Sequence, residues 1–157
     1  MNNMYFYQLR SLFSNGVFLA TFTSWFVSQL LKAIIAIIKA PRKKIGIFFK
    51  VFGNTGGMPS SHSAVVVCLA ATIGIKHGWS SDYFVLALFL ATIVIRDAVG
   101  VRRSSGLQAQ TLNNLGNKVS KSLDIEFKSV KEINGHKPVE VFVGGLIGLV
   151  LAYCFPV

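Results

Sequence analysis

Residues 83–101 read YFVLALFLATIVIRDAVGV. The stretch is uniformly apolar until Arg96 and Asp97, and nothing in it alternates with the period of two that a half-buried strand requires. In hydrocarbon every backbone N–H and C=O must find its partner within the segment, so a lone apolar run of this kind is a helix. At about 20 residues it is also long enough to cross a bilayer.

Three further apolar runs lie on either side. Residues 16–38 form a long one, interrupted by Gln29 and Lys32; residues 62–75 form a shorter one, closed by Lys76-His77-Gly78-Trp79; residues 138–156 open on Pro138 and contain Gly144, Gly145 and Gly148. Proline suits the first turn of a helix, and small residues let helices in lipid approach closely. The second run is short for a span and calls for tilt or bilayer thinning. The expected fold class is therefore all-α: a polytopic membrane helical bundle with about four transmembrane helices, over about 16–39, 62–78, 83–101 and 138–155. Residues 104–135 are polar and are expected to form a surface loop carrying a short amphipathic helix at 107–115. A chain of 157 residues supports one domain, 1–157.

Composition agrees with lipid as a solvent. Hydrophobic residues make up 52% and charged ones 14%, where soluble domains carry about 25% charge; mean hydropathy is +0.55. Net charge is +10, but the cations lie between apolar runs and follow no zinc-knuckle or basic-helix pattern. A membrane surface or a phosphate-bearing ligand fits them better than nucleic acid. Both cysteines, Cys68 and Cys154, sit inside apolar runs and read as small fillers. The first apolar run has no cationic leader and no small-residue exit, so it reads as a retained span.

If all four helices cross, one face collects every Lys and Arg except Arg10, Lys32 and Lys76. The positive-inside rule makes that face cytoplasmic and the protein a multi-pass protein of the cell membrane. The same face holds Gly56-Gly57-Met58-Pro59-Ser60-Ser61-His62-Ser63. Glycines allow close approach, serine caps the next helix, and the free amides of its first turn favour an anion. This is a phosphate cradle, or else an ordinary cap with an interfacial histidine. At the start of the last helix, His136 and Glu140 stand i, i+4 on one face; the carboxylate can hold Nδ1 of the imidazole and leave Nε2 as nucleophile or base. The alternative there is a structural i, i+4 pair. Lys32 within an apolar run faces a partner or snorkels. Arg96, Asp97, Arg102 and Arg103 form either an anion clamp braced by Asp97 or a set of interfacial anchors.

Together these pieces resemble the type-2 phosphatidic acid phosphatase superfamily, which includes vanadium haloperoxidases, and especially its short divergent membrane branch. The superfamily signature runs KxxxxxxRP, PSGH, SRxxxxxHxxxD. Pro59-Ser60-Ser61-His62 matches the second part with Ser for Gly. His136-x-Pro138-x-Glu140 resembles the end of the third with Glu for Asp. Lys32, followed by Lys39-Ala40-Pro41, stands for the first. The third motif is split: either a loop separates Arg96 from His136, or Arg102 and Arg103 serve as the clamp.

The resemblance implies a metal-independent, cofactor-free phosphatase acting on a phosphate monoester or diphosphate carried by a lipid. In it His136 would be the nucleophile, Glu140 its orienting partner and His62 the acid/base. Lys32, Ser60, Ser61, Arg102, Arg103 and, in reserve, Arg96 would bind phosphate, with Gly57 and Asp97 in support. The expected partners are the bilayer and the phosphate-bearing substrate, with room for an oligomer. The rival from another class is a non-catalytic headgroup-binding or scaffold protein; a transporter ranks last, since no internal repeat appears.

Overall fold

A computed structural model describes residues 2–39, 57–132 and 135–157 of the chain. Gly56, Ala40-Pro41 and the cations Arg42, Lys43, Lys44 and Lys50 lie outside the described residues. Among those described the only regular secondary structure is helical, with no strand. The helices are α1 (Asn2–Phe13), α2 (Gly16–Lys39), α3 (Ser61–His77), α4 (Asp82–Arg96), α5 (Arg102–Leu123) and α6 (Pro138–Cys154). A π-helical turn, Asp97–Val101, joins α4 to α5 without a break. By length and composition, α2 and the α4–α5 rod each carry a segment able to cross a membrane; α3 and α6 are shorter.

The bundle is centred on α3, which packs against α2, α4 and α6. Its contact with α6 is the closest. A Cβ at Gly144 would collide with the backbone carbonyl of Ser60, and one at Gly148 with that of Ala64. Two glycines one turn apart thus form a groove into which the α3 backbone sinks, with Ala152 continuing the stripe at 0% exposure. At the far end Gly74 makes room for the ring of Trp79, which meets Phe84 edge to face. Outward-facing Leu, Ile, Val and Phe side chains stay exposed along α4 and α6, as expected of helices whose solvent is lipid.

Two elements depart from the sequence expectation. Residues 104–135 do not form a loop with a short helix at 107–115. The helix begun at Asp82 runs on through the π turn to Leu123, and only then does the chain reverse, at Asp124 in the left-handed conformation. A helix already formed extends at little cost, because nucleation is behind it. Polar residues with modest propensity therefore continue what α4 begins. The second departure is α1, an amphipathic segment whose Tyr5, Phe6, Tyr7 and Phe13 are exposed; Phe13 meets Phe18 of α2 edge to face.

Residues 125–132 return along α5. Asn113, buried on α5, anchors them with three hydrogen bonds. Its Nδ2 donates to the Val130 carbonyl and to Glu132 Oε1, both at 2.8 Å, and its Oδ1 accepts from the Val130 amide, also at 2.8 Å. Phe127 lies over Gly116, where a Cβ would strike its ring. This out-and-back excursion brings Gly135 against the backbone of Arg103 and so delivers His136 to the π turn.

Candidate functional site

The site is assembled where four stretches of helix meet: α2 around Lys32, the start of α3, the π turn and the start of α6. Ser60 caps α3. Its backbone is extended, and its Oγ accepts from the Ser63 amide at 3.4 Å and the Ser63 hydroxyl at 3.0 Å. Its own amide donates to the Glu140 carbonyl at 3.0 Å, which locks the cradle onto α6. Ser60 and Ser61 are both buried. The Ser60 hydroxyl is therefore held within the cap, and the unpaired donors of the first turn are backbone amides. Gly57 holds φ at +102°, a conformation side chains resist, and its α-carbon faces the stem of Lys32.

His136 is 2% exposed. Its amide donates to the Ala98 carbonyl of the π turn at 3.2 Å. Nδ1 lies 3.0 Å from Glu140 Oε2, which also accepts from the Lys137 amide at 3.3 Å. A carboxylate on Nδ1 fixes that nitrogen as the protonated one and leaves the Nε2 lone pair free. Nε2 is buried and has no hydrogen-bond partner among the described residues. The His62 ring stands nearby, 6.4 Å between centroids and tilted by 60°.

The π turn arranges the charges. One added residue in the turn places Asp97 and Arg102, five apart, on a shared face, and Nε of Arg102 meets Asp97 Oδ2 at 2.7 Å. His62 lies within electrostatic reach of Arg102, His136, Lys32 and Asp97, and Lys32 within reach of Glu140. The structure thus brings together Lys32, His62, Asp97, Arg102, His136 and Glu140. Arg103 stands one step aside, lining a cavity of about 200 Å³ with Gln110, Glu132, Gly135, His136 and Lys137. Arg96 is exposed and forms no hydrogen bond or ion pair among the described residues, so it is not drawn into the cluster.

Sequence reasoning missed Asn113, Gly135 and the Ala98 carbonyl, which do not touch the imidazoles' reactive edges but hold His136 in place. Gly135 beside His136 was the only available signal, a residue whose missing side chain permits contact with the Arg103 backbone.

The model of the divergent PAP2 family matches residues 13–151. The uncharacterized membrane protein YuiD of Bacillus subtilis (strain 168) is 40% identical over 149 residues, which covers 80% of this chain and 94% of that protein. No solved structure matches.

Proposed function

Taking as premise that the chain belongs to the divergent PAP2 family of membrane proteins, we propose that it hydrolyses a phosphate monoester or diphosphate, borne by a lipid, through a phosphohistidine. The observation that carries this reading is the His136–Glu140 pair at 3.0 Å with Nε2 left unpaired, beside a second imidazole at a helix start.

In the first step Nε2 of His136 attacks phosphorus in line, and the bond from phosphorus to the leaving oxygen breaks as that oxygen takes a proton from His62. The Nδ1 proton stays on His136, and Glu140 stabilises the cation formed there. In the second step His62 accepts a proton from water, the resulting hydroxide attacks phosphorus, and the P–N bond breaks to release inorganic phosphate. Lys32, Arg102 and the first-turn amides of α3 balance the charge on the equatorial oxygens. Arg102, braced by Asp97, is the clamp; Arg103 serves the cavity beside it, and Arg96 has no part.

The membrane arrangement that goes with this mechanism has α2, α3, α4 with its π turn, and α6 crossing, and the site on the cytoplasmic face. In a background lacking Cys154, a cysteine at Lys121 is shielded from an impermeant thiol reagent in intact cells, and one at Ser81 is labelled. The reverse pattern overturns the orientation.

The decisive test is phosphate release by purified protein. His136→Ala abolishes turnover and any acid-labile, base-stable phosphoenzyme in a folded preparation. His62→Ala slows phosphorylation with a poor leaving group far more than with a good one. Near-native hydrolysis by His136→Ala ends the phosphohistidine mechanism. A second reading, headgroup binding without catalysis, draws on the 2% exposure of His136; it requires phosphate binding by the parent protein with no release of product.

A further inference from the structure

One face of α2 is polar through the middle of the bundle. Thr21, Ser24, Ser28 and Lys32 succeed one another at spacings of three and four, so they form a single line along the helix, with Gln29 at its edge. Ser24 and Ser28 are 0% exposed, Lys32 5% and Gln29 6%. The line does not stop at α2. The hydroxyls of Ser24 and Thr21 face the thiol of Cys68 on α3, and one turn further along α3 is Thr72, also 0% exposed. Beyond Thr72 the helix ends at exposed Lys76 and His77. Polar groups are thus strung from Lys32, at the candidate site, past Cys68 to Thr72, toward the opposite end of the bundle.

Part of this seam is satisfied by the helices themselves. Ser28 Oγ donates to the carbonyls of Ser24 and Trp25, at 2.8 and 2.9 Å, and Thr72 Oγ1 donates to that of Cys68 at 2.7 Å. Their oxygen lone pairs remain as acceptors. Two other groups lack a conventional hydrogen bond: Ser24 Oγ is buried with a weak thiol partner in Cys68, and Gln29 Oε1 is buried and unpartnered among the described residues. A buried polar atom without a protein partner in an otherwise apolar span calls for water, and water needs two to four polar neighbours, which this seam lines up.

We infer that a file of bound water occupies the α2–α3 seam from Lys32 to Thr72, pairing Ser24 and Gln29 and joining the candidate site to the opposite end of the bundle. The inference concerns hydration and stands whether or not the site hydrolyses phosphate.

The native Cys68 reports on the file. With Cys154→Ser, Cys68 is the sole thiol. Silver ion, which is small and travels with water, titrates Cys68 in the folded, bilayer-reconstituted protein. Ser24→Val with Gln29→Leu slows that reaction at least tenfold. Equal rates in the two proteins overturn the inference, as does a bulky maleimide that reacts as fast as silver, since opening of the bundle would then explain the labelling. Should the double variant not fold, water-edited solid-state NMR of the unsubstituted protein decides. Magnetisation passes from water to the Ser24 and Gln29 side chains several-fold faster than to Ala20 and Ala33 if the file exists, and equally slowly if the seam is dry.

Discussion

The α3–α6 seam and the α5 excursion each bring a site histidine to its place, and they do so by opposite means. At the first seam side chains are taken away. Gly144 and Gly148 let the α3 backbone settle into α6, and the carbonyls of Ser60 and Ala64 fill the space. In the excursion a side chain is added: Asn113 supplies three hydrogen bonds that hold residues 125–132 against α5. Apolar packing in lipid has no hydrophobic driving force to draw on, so close approach is what holds helices together there. Outside it, a returning segment of low apolar content needs named donors and acceptors to stay down.

The comparison is broken most severely at Gly148. Gly148→Leu places atoms where the α3 backbone runs, and backbone cannot rotate aside, so the loss exceeds the roughly 1–3 kcal/mol of an ordinary overpacked core. Little folded protein is recovered, as size-exclusion and thermal unfolding in detergent will show. Gly145→Ala is the matched control: its Cβ would sit 3.6 Å from Val67 Cγ2, an ordinary contact, and the melting curve does not move.

Asn113→Leu comes next. It leaves the Val130 amide and carbonyl without their partner, at about 1–3 kcal/mol. Hydrogen exchange rises across 125–132 while α3 and α6 stay protected, and on the proposed mechanism phosphate release falls with it because His136 loses its approach. Equal loss of protection in both regions would mean that excursion and bundle form one cooperative unit. Smallest is Asp97→Asn. That ion pair is more than a third exposed at both ends, so its effect on stability is at most about 1 kcal/mol. On the proposed mechanism its value is in turnover: freeing Arg102 raises KM for the phosphorylated substrate while the melting temperature barely changes.

The two regions also differ in how far the sequence disclosed them. Pro138, Gly144 and Gly148 in one apolar run announced a helix with a close-packing face, and the bounds of α2 and α6 follow from composition alone. The i, i+4 spacing of His136 and Glu140 likewise foretold the contact found. The α5 excursion was hidden because its cause is not local. Ser104, Ser105, Gly106 and Gly116 are weak helix formers, and what makes them helical is the rod they extend and the segment folded back on them. Neither signal lies within a window around residue 104. The same blindness explains the split motif: 32 positions of sequence between Arg103 and His136 collapse in space because Gly135 lies on the Arg103 backbone.

The π turn at Asp97–Val101 sets the phase of everything beyond it. Each residue of an α-helix advances the chain by about 100° around its axis, so the spare residue in this turn is a fixed angular offset between α4 and α5. Removing it, for instance by deleting Gly100, would restore regular winding and swing α5 around the rod. Arg102 would leave the face it shares with Asp97, and the returning segment would carry Gly135 and His136 away from α3. A single surplus residue thus acts as a dial for the rotation at which the two histidines come into alignment.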